Sequence, residues 1–265
     1  MQTVNDALRT WRTRRRVSQL ELAARAGTTQ RYLSFIESGR SLPGRSMIIR
    51  LAESLEVPIR ERNDLLLAAG FAPAYPESDP ASSRLAPVRV ALERILHGHL
   101  PYPAVIVDRS GDLLSANAGF DLIMEGVAEH LLTPPVNVPR LLLHPEGLAP
   151  RIVNLDEWAW HVIDRVQADC MRNPTDRLVQ LSLELVDLAP PMPDELSPSY
   201  LGLAVPLRLR LGDRDLRLIT TLTHFGTATD VTLAELHLEA FLPEDEVTAA
   251  ALTELYDLRS SHAPR

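Results

Sequence analysis

Arginine supplies all the basic chemistry of this chain, because its 27 basic residues include no lysine. A guanidinium group can donate two parallel hydrogen bonds to a phosphate or to the edge of a guanine base. The first 70 residues hold 12 arginines and 7 acidic residues, whereas residues 71–265 hold 15 and 28. A basic head on an acidic body is expected when only the head approaches a polyanion. The missing lysines also exclude phosphate-loop and Schiff-base mechanisms.

Other reactive side chains occur without the partners that catalysis requires. The sequence contains no G-x-S-x-G, H-E-x-x-H or G-x-G-x-x-G pattern. The single cysteine, Cys170, falls on an apolar helical stripe, where burial is the simpler interpretation. His97 and His99 offer two metal ligands, but no further ligand follows at a metal-site spacing. We therefore expect no enzymatic activity, no metal and no cofactor, while a haem or flavin in the second domain stays open.

The cysteine count and the first residues bear on the compartment. One cysteine rules out a disulfide framework and fits a reducing environment. The N-terminal residues are charged, and no run approaches the ~18 apolar residues of a membrane span. We expect a cytoplasmic, globular protein without a membrane span, and 265 residues suggest two domains.

Helix signals divide the basic head into short helices. Ser18 to Glu21 form a capping box, and Gly27 ends the helix that it begins. Thr29 caps a second helix, from Gln30 to Glu37. Two helices separated by such a turn form a helix-turn-helix, whose second helix directs its first side chains into the DNA major groove. The residues predicted for its core are Leu20, Ala23, Leu33 and Ile36.

The run from Ser18 to Gly27, with Thr29 and most of Tyr32 to Arg40, resembles the XRE-type, lambda-repressor-like helix-turn-helix family. The resemblance implies that Gln19 meets the phosphate backbone and that Gln30 and Arg31 read base edges. Glutamine pairs bidentately with adenine, and arginine with guanine. The predicted DNA-contact residues are Gln19, Thr29, Gln30, Arg31, Ser34, Arg40 and Arg45, and Arg15 and Arg16 are further candidates for phosphate contacts. A helical domain that binds another protein is the alternative.

The acidic body changes from helical to strand patterning along its length. Residues 71–86, with Pro73, Pro76 and Pro80, predict a linker between a domain at 1–70 and one at 87–265. Two strands, at 104–107 and 113–116, form a predicted hairpin, and helical stripes follow between 140 and 190. Alternating apolar residues then predict strands at 203–211, 216–223 and about 231–241. The expected fold is α+β, with a five-stranded antiparallel sheet.

Several stretches of the body carry a second resemblance. The order of elements around Val105 to Arg109 and Gly111 to Asn117 is similar to that of a PAS domain. More specifically, a set of stretches resembles the MmyB-like ligand-binding domain, which commonly follows an XRE-type head in bacterial transcription regulators. These stretches are Asn137 to Arg140, Leu143 to Leu148, Asn154, Thr223, Phe225 to Thr227, Asp230 to Leu236 and Pro243.

This second resemblance implies a small organic ligand held in a cavity between the sheet and its helices. Apolar wall residues favour a fatty acid or a similar molecule. Thr220 and His161 are candidates to bind its head group. The predicted ligand-binding residues are Trp158, His161, Val162, Leu203, Val205, Leu207, Leu218, Thr220, Leu222 and Leu236. Ordinary core packing is the other interpretation of the same side chains.

The two resemblances together predict a homodimeric transcription regulator that binds double-stranded operator DNA. A small apolar ligand in the second domain would modulate its operator affinity. The alternative is a DNA-binding regulator whose second domain serves only for dimerisation or protein docking. Recovery of an organic ligand from the purified protein would discriminate between them.

Overall fold

The computed structural model describes residues 3–79, 82–172, 175–193, 205–225 and 228–262. The chain divides into two compact units, each with its own apolar core. The first comprises Met1–Pro80 and Gly226–Ala234, and the second comprises Ala81–Phe225 and Glu235–Arg265. No helix among the described residues is both long and apolar enough to cross a membrane.

Five helices build most of the first unit. They are α1 (Val4–Arg14), α2 (Gln19–Arg25), α3 (Gln30–Glu37), α4 (Arg45–Ser54) and α5 (Ile59–Ala68). The side chains of Thr3, Ser18 and Thr29 each accept a hydrogen bond from the backbone N–H three residues further on. Such caps satisfy amide groups that have no partner inside the helix. The helical head and the predicted caps at Ser18 and Thr29 are confirmed.

The core of the first unit follows the predicted face of α3 but not that of α2. Leu33 and Ile36 are fully buried, and Ala23 nearly so. Leu20 was predicted to be core and is 64% exposed. Because an α-helix has 3.6 residues per turn, Leu20 points away from Leu22, which α2 buries together with Ala23.

The segment predicted as a linker is attached to α5 over its first half. Asn63 accepts hydrogen bonds from the backbone N–H groups of Ala74 and Tyr75 at 2.9 and 3.1 Å, and its amide donates to the Tyr75 carbonyl at 2.7 Å. Phe71 and Ala74 pack against the core of the unit. Composition suggests a free segment here, whereas one buried amide side chain holds the backbone in place.

The second unit is an antiparallel sheet with helices. Its strands are β1 (Ala104–Val107), β2 (Leu113–Ala116), β3 (Leu207–Leu211), β4 (Arg214–His224) and β5 (His237–Pro243), in the order β2-β1-β5-β4-β3. Its helices are α6 (Ala86–Gly98), α7 (Ala118–Ile123), α8 (Val138–Leu143), α9 (Leu155–Arg172), α10 (Asp176–Leu188) and α12 (Glu246–His262). The predicted five-stranded antiparallel sheet is confirmed. Leu203, which was placed in the third strand, lies outside the described residues.

The register of the sheet puts one apolar face against the helices. Leu207 pairs with Leu218, and Thr220 pairs with Phe241. Leu207, Leu218 and Phe241 are fully buried in one core together with Trp158 of α9. Side chains alternate along a strand, so Thr220 points to the same face as Leu218.

The prediction of a strand from residue 231 is wrong at its start. Val231–Ala234 forms a short helix, α11, and the strand begins at His237. Asp230 accepts a hydrogen bond from the Thr232 N–H at 3.0 Å and so begins the helix. Apolar residues at this spacing fit either structure, and the aspartate cap decides for the helix.

A set of hydrogen bonds attaches α11 to residues 76–78 within the first unit. Ser78 Oγ donates to Asp230 Oδ2 at 2.6 Å, Val231 N–H donates to the Pro76 carbonyl at 2.8 Å, and Thr232 Oγ1 donates to the Ser78 carbonyl at 2.7 Å. Ser78 and Asp230 are both buried. We call these five residues the clasp. The residues that join β4 to β5 therefore fold with the helices of the first unit.

Candidate functional site

The predicted base-reading residues lie together at the start of α3. Gln30 and Arg31 are exposed and Ser34 is half-buried. On the opposite side of the helix, Leu33 and Ile36 are buried in the core. The Thr29 cap fixes where the helix begins and hence which side chains occupy its first turn. This geometry leaves two side chains with base-pairing donors free to enter a groove.

Phe35 also belongs to this surface and is not among the residues predicted to contact DNA. The guanidinium carbon of Arg31 lies 5.5 Å from the centre of the Phe35 ring, and that of Arg40 lies 5.9 Å from it. Its ring is half-buried. The available signal was the spacing of four residues between Arg31 and Phe35, which places the two side chains on the same face of a helix.

Gln19 is tied to an ion pair between helices. Glu37, which is buried, receives hydrogen bonds from Arg12 Nε at 2.6 Å, from Arg12 Nη2 at 2.8 Å and from Gln19 Nε2 at 2.8 Å. Burial alone would raise the pKa of Glu37, but the hydrogen bonds from Arg12 and Gln19 outweigh it and lower the pKa. The network fixes Gln19 at the start of α2, where the resemblance placed a phosphate contact.

The other candidate arginines differ in what they touch. Arg15 donates to the carbonyls of Leu55 and Glu56, both at 3.1 Å, and so closes the end of α4. Arg16 and Arg45 are exposed. Arg45 is the first residue of α4, where backbone N–H groups favour an anion such as a phosphate.

The predicted ligand-binding residues are brought together only in part. Trp158, Val162, Leu207 and Leu218 are fully buried in one core, and Val205 packs against it. Leu222 is 41% exposed, and Leu236 is buried outside that core. The four fully buried side chains and Val205 pack together, as residues of an ordinary core do.

Two polar atoms in this region have no hydrogen-bond partner among the described residues. Trp158 Nε1 and Thr220 Oγ1 are both buried and unpaired. The ring of His161 lies 5.2 Å from that of Trp158, and its pKa is lowered, chiefly by burial. A buried polar group without a partner costs roughly 1–3 kcal/mol. A polar atom of a ligand would remove that cost.

A groove of about 780 Å³ opens between β2, α7 and α12. Its size falls within the usual range for sites that bind small molecules. Leucine, valine, phenylalanine and methionine side chains line most of it, and Asp121, Glu125 and Arg259 are its charged members. None of the residues predicted to bind the ligand lines this groove. No local sequence pattern indicates this groove, because it depends on where α12 packs.

One cluster of side chains has the composition of a metal site. Donor atoms of His130, His144 and Glu146 lie within 4.8 Å of one another. However, Nδ1 of His144 already accepts the Glu146 backbone N–H at 3.1 Å. A neutral imidazole in that arrangement carries its proton on Nε2, which leaves no lone pair there for a metal. We therefore assign no metal to the cluster.

Two family descriptions match the chain. "MmyB-like transcription regulator ligand binding domain" matches residues 88–255, and "Helix-turn-helix" matches residues 8–62. No curated protein matches. A solved structure titled "Structure of an RNA-binding Light-Oxygen-Voltage Receptor" is 13% identical and covers 97% of this chain, with a TM-score of 0.28. The chain spans 63% of that structure's length, and a likeness at this TM-score carries no argument about fold or function.

Proposed function

Since this chain belongs to the MmyB-like transcription regulators with a ligand-binding domain, we propose that a small apolar ligand controls its affinity for operator DNA. The observation that carries the proposal is the largely apolar groove of about 780 Å³. The same chain exposes Gln30 and Arg31 at the start of a capped helix. Ligand binding changes operator affinity whenever the ligand prefers one of two conformations that bind DNA differently.

The ligand that we propose is a medium or long acyl chain. Each methylene that it buries contributes about 0.8 kcal/mol, so a chain of several carbons suffices for stable binding. Apolar side chains line the groove, and Arg259 is its cationic member for a carboxylate. The core around Trp158, which the sequence analysis chose, is the competing location, and its two unpaired polar atoms support it.

Solvent extraction and mass spectrometry of the purified protein test for the ligand. We expect an acyl compound from the wild type and its loss from Leu258→Trp, which fills the groove from α12. Leu183→Trp is the matched control, because Leu183 is similarly exposed on α10 and does not line the groove. Loss of ligand from Leu218→Phe alone would place it in the core instead. An empty extract, with operator affinity indifferent to added acyl chains, would favour a dimerisation or docking module.

We also propose that the chain is a homodimer whose contact includes α6. Leu96 is the one residue of this helix that is buried. Val90 and Ile95 of the same helix are 45% and 37% exposed. A second copy that packs around α6 would remove both side chains from water.

The clasp is the route that we propose between ligand and DNA. It holds the residues that join β4 to β5 against the segment that follows α5. A ligand that shifts these strands would therefore move residues 230–232, and the hydrogen bonds of the clasp would transmit that movement to residues 76–78 of the first unit.

We infer that the chain acts by binding rather than by catalysis. Burial, assisted by the charge of Asp169, raises the pKa of the Cys170 thiol. A thiol with a raised pKa is a poor nucleophile. A screen of the pure protein for hydrolysis of acyl esters should show no turnover.

A further inference from the structure

Phe35 is an aromatic residue of α3 that does not contribute to a core. The core of the first unit contains Leu33 and Ile36 from this helix, and its partly buried neighbours include Tyr32 but not Phe35. An aromatic side chain outside the core needs another reason to be on a DNA-facing helix. Its ring packs instead against guanidinium groups.

The two arginines approach the ring from different parts of the chain. Arg31 lies one turn earlier on α3, at 5.5 Å from the ring centre. Arg40 lies 5.9 Å from it and follows Gly39, whose φ of 74° reverses the chain. The Arg40 backbone N–H also donates to the Phe35 carbonyl at 2.9 Å. Backbone and side chain of Phe35 therefore both hold the turn that carries Arg40.

We propose that Phe35 determines DNA specificity, by positioning Arg31 and Arg40 and by contacting the methyl group of a thymine. A guanidinium group held over a ring at cation–π distance has its position restricted, while its N–H groups stay available for guanine O6 and N7. The exposed part of the ring offers an apolar surface, and thymine is the base that presents a methyl group in the major groove. This inference rests on the proposed DNA binding through α3.

The position of Phe35 on α3 indicates which part of the DNA site its side chain contacts. It lies one helical turn beyond Arg31 on the same face, so it reaches the neighbouring part of the site that Arg31 reads. Sequence specificity at that point comes from a methyl contact rather than from a hydrogen bond. A thymine and a nearby guanine are thus read by one packed pair of side chains.

Replacing thymine with deoxyuridine tests the methyl contact, because the two bases differ only in that group. The operator is first selected from random duplexes by the full-length wild-type protein, and each thymine is then replaced singly. We expect one replacement to weaken wild-type binding by about fourfold, the effect of one buried methyl group. Phe35→Ala should bind both duplexes equally. Tyr32→Leu, on the same helix, should keep the wild-type response.

Phe35→Leu tests the positioning role separately. Leucine retains an apolar surface for the methyl group but has no π face for a guanidinium. We expect it to retain the deoxyuridine response and to lose about tenfold in discrimination at the guanine that Arg31 reads. Unchanged circular dichroism of both variants confirms folding.

The outcomes separate this inference from the function on which it rests. A wild-type protein indifferent to every deoxyuridine overturns the methyl contact, and a Phe35→Leu variant with full guanine discrimination overturns the positioning role. Selection of no preferred duplex by the wild type would instead refute sequence-specific DNA binding itself.

Discussion

Contacts with single side chains and carbonyl groups determine which of the arginines are available for the proposed DNA contacts. The first 70 residues contain 12 arginines, but the sequence does not reveal which of them already bind other groups within the protein. Arg12 is held by buried Glu37, and Arg15 by the carbonyls at the end of α4. Arg31 and Arg45 extend from exposed positions. The partners of Arg12 and Arg15 lie 25 and 40 positions away in the sequence. Local sequence patterns therefore could not predict which arginines are held within the protein.

Arg31 and Arg45 should contribute to binding in different ways. Arg31→Ala should reduce discrimination at one guanine by about 1–3 kcal/mol, because a bidentate base contact is lost. Arg45→Ala should weaken binding to specific and random duplexes alike and lower the salt slope by about one unit. Titrations at several salt concentrations measure both effects. Equal losses of specificity in the two variants would contradict the assignment of a base contact to Arg31 and a phosphate contact to Arg45.

The Arg12–Glu37 ion pair predicts how the first unit responds to acid. The pKa of folded Glu37 lies below its usual 4.5, so the pair stabilises fully above that pH and loses its contribution as pH falls through the folded value. Glu37→Gln should cost about 3 kcal/mol at pH 7. Hydrogen exchange of α1 to α3 in urea at several pH values measures the difference in free energy of unfolding between the wild type and Glu37→Gln. This difference should shrink in acid.

A matched variant in the same unit serves as the control. Glu21→Gln removes the pair with Arg25, whose side chains are both nearly half exposed. Exposed pairs contribute little, so its exchange should follow the wild type at every pH. A difference between wild type and Glu37→Gln that stays constant down to pH 2 would contradict the assignment of the ion pair.

At the scale of elements, local signals predicted what local contacts determine. The caps at Ser18 and Thr29 and the hairpin of β1 and β2 depend on neighbouring residues, and they were predicted correctly. The start of the last strand was not, because the apolar spacing fits a strand or a helix, and Asp230, which caps α11, is itself held by buried Ser78, 152 residues away in sequence. The groove beside α12 was missed for the same reason.

Removal of the Asp230 carboxylate should abolish the proposed effect of ligand binding on operator affinity. Asp230→Ala leaves the Ser78 hydroxyl and the Thr232 N–H without their acceptor, at about 1–3 kcal/mol each. We expect faster hydrogen exchange at residues 74–79 and an operator affinity that no longer responds to acyl ligand. Asp230→Asn keeps an acceptor oxygen of the same shape and should restore the response in part. Full ligand response in Asp230→Ala would exclude the clasp as the route.

At the scale of the whole molecule, the proposed affinity for DNA depends on how many basic heads bind the site together. A single helical module buries roughly 600–1,000 Å² on DNA, which is too little for tight binding alone. In the proposed dimer, two heads on a two-fold site would together bury enough surface; the resemblances predict the dimer, but the residues that form its contact could not be predicted from the sequence. Val90 and Ile95, the exposed apolar residues of α6, give the proposed dimer contact positions that mutation can test.

A dimer should require two half-sites on the same face of the duplex. Their centres should lie about one helical turn, or ~34–36 Å, apart, or a multiple of it. Inserting half a turn of DNA rotates one half-site to the opposite face and should reduce affinity more than tenfold, whereas a full turn should reduce it less. Val90→Glu with Ile95→Glu should yield monomers in light scattering and remove this dependence on spacing. A wild-type protein that is monomeric at micromolar concentration and protects a single half-site would show that the chain binds without a partner copy.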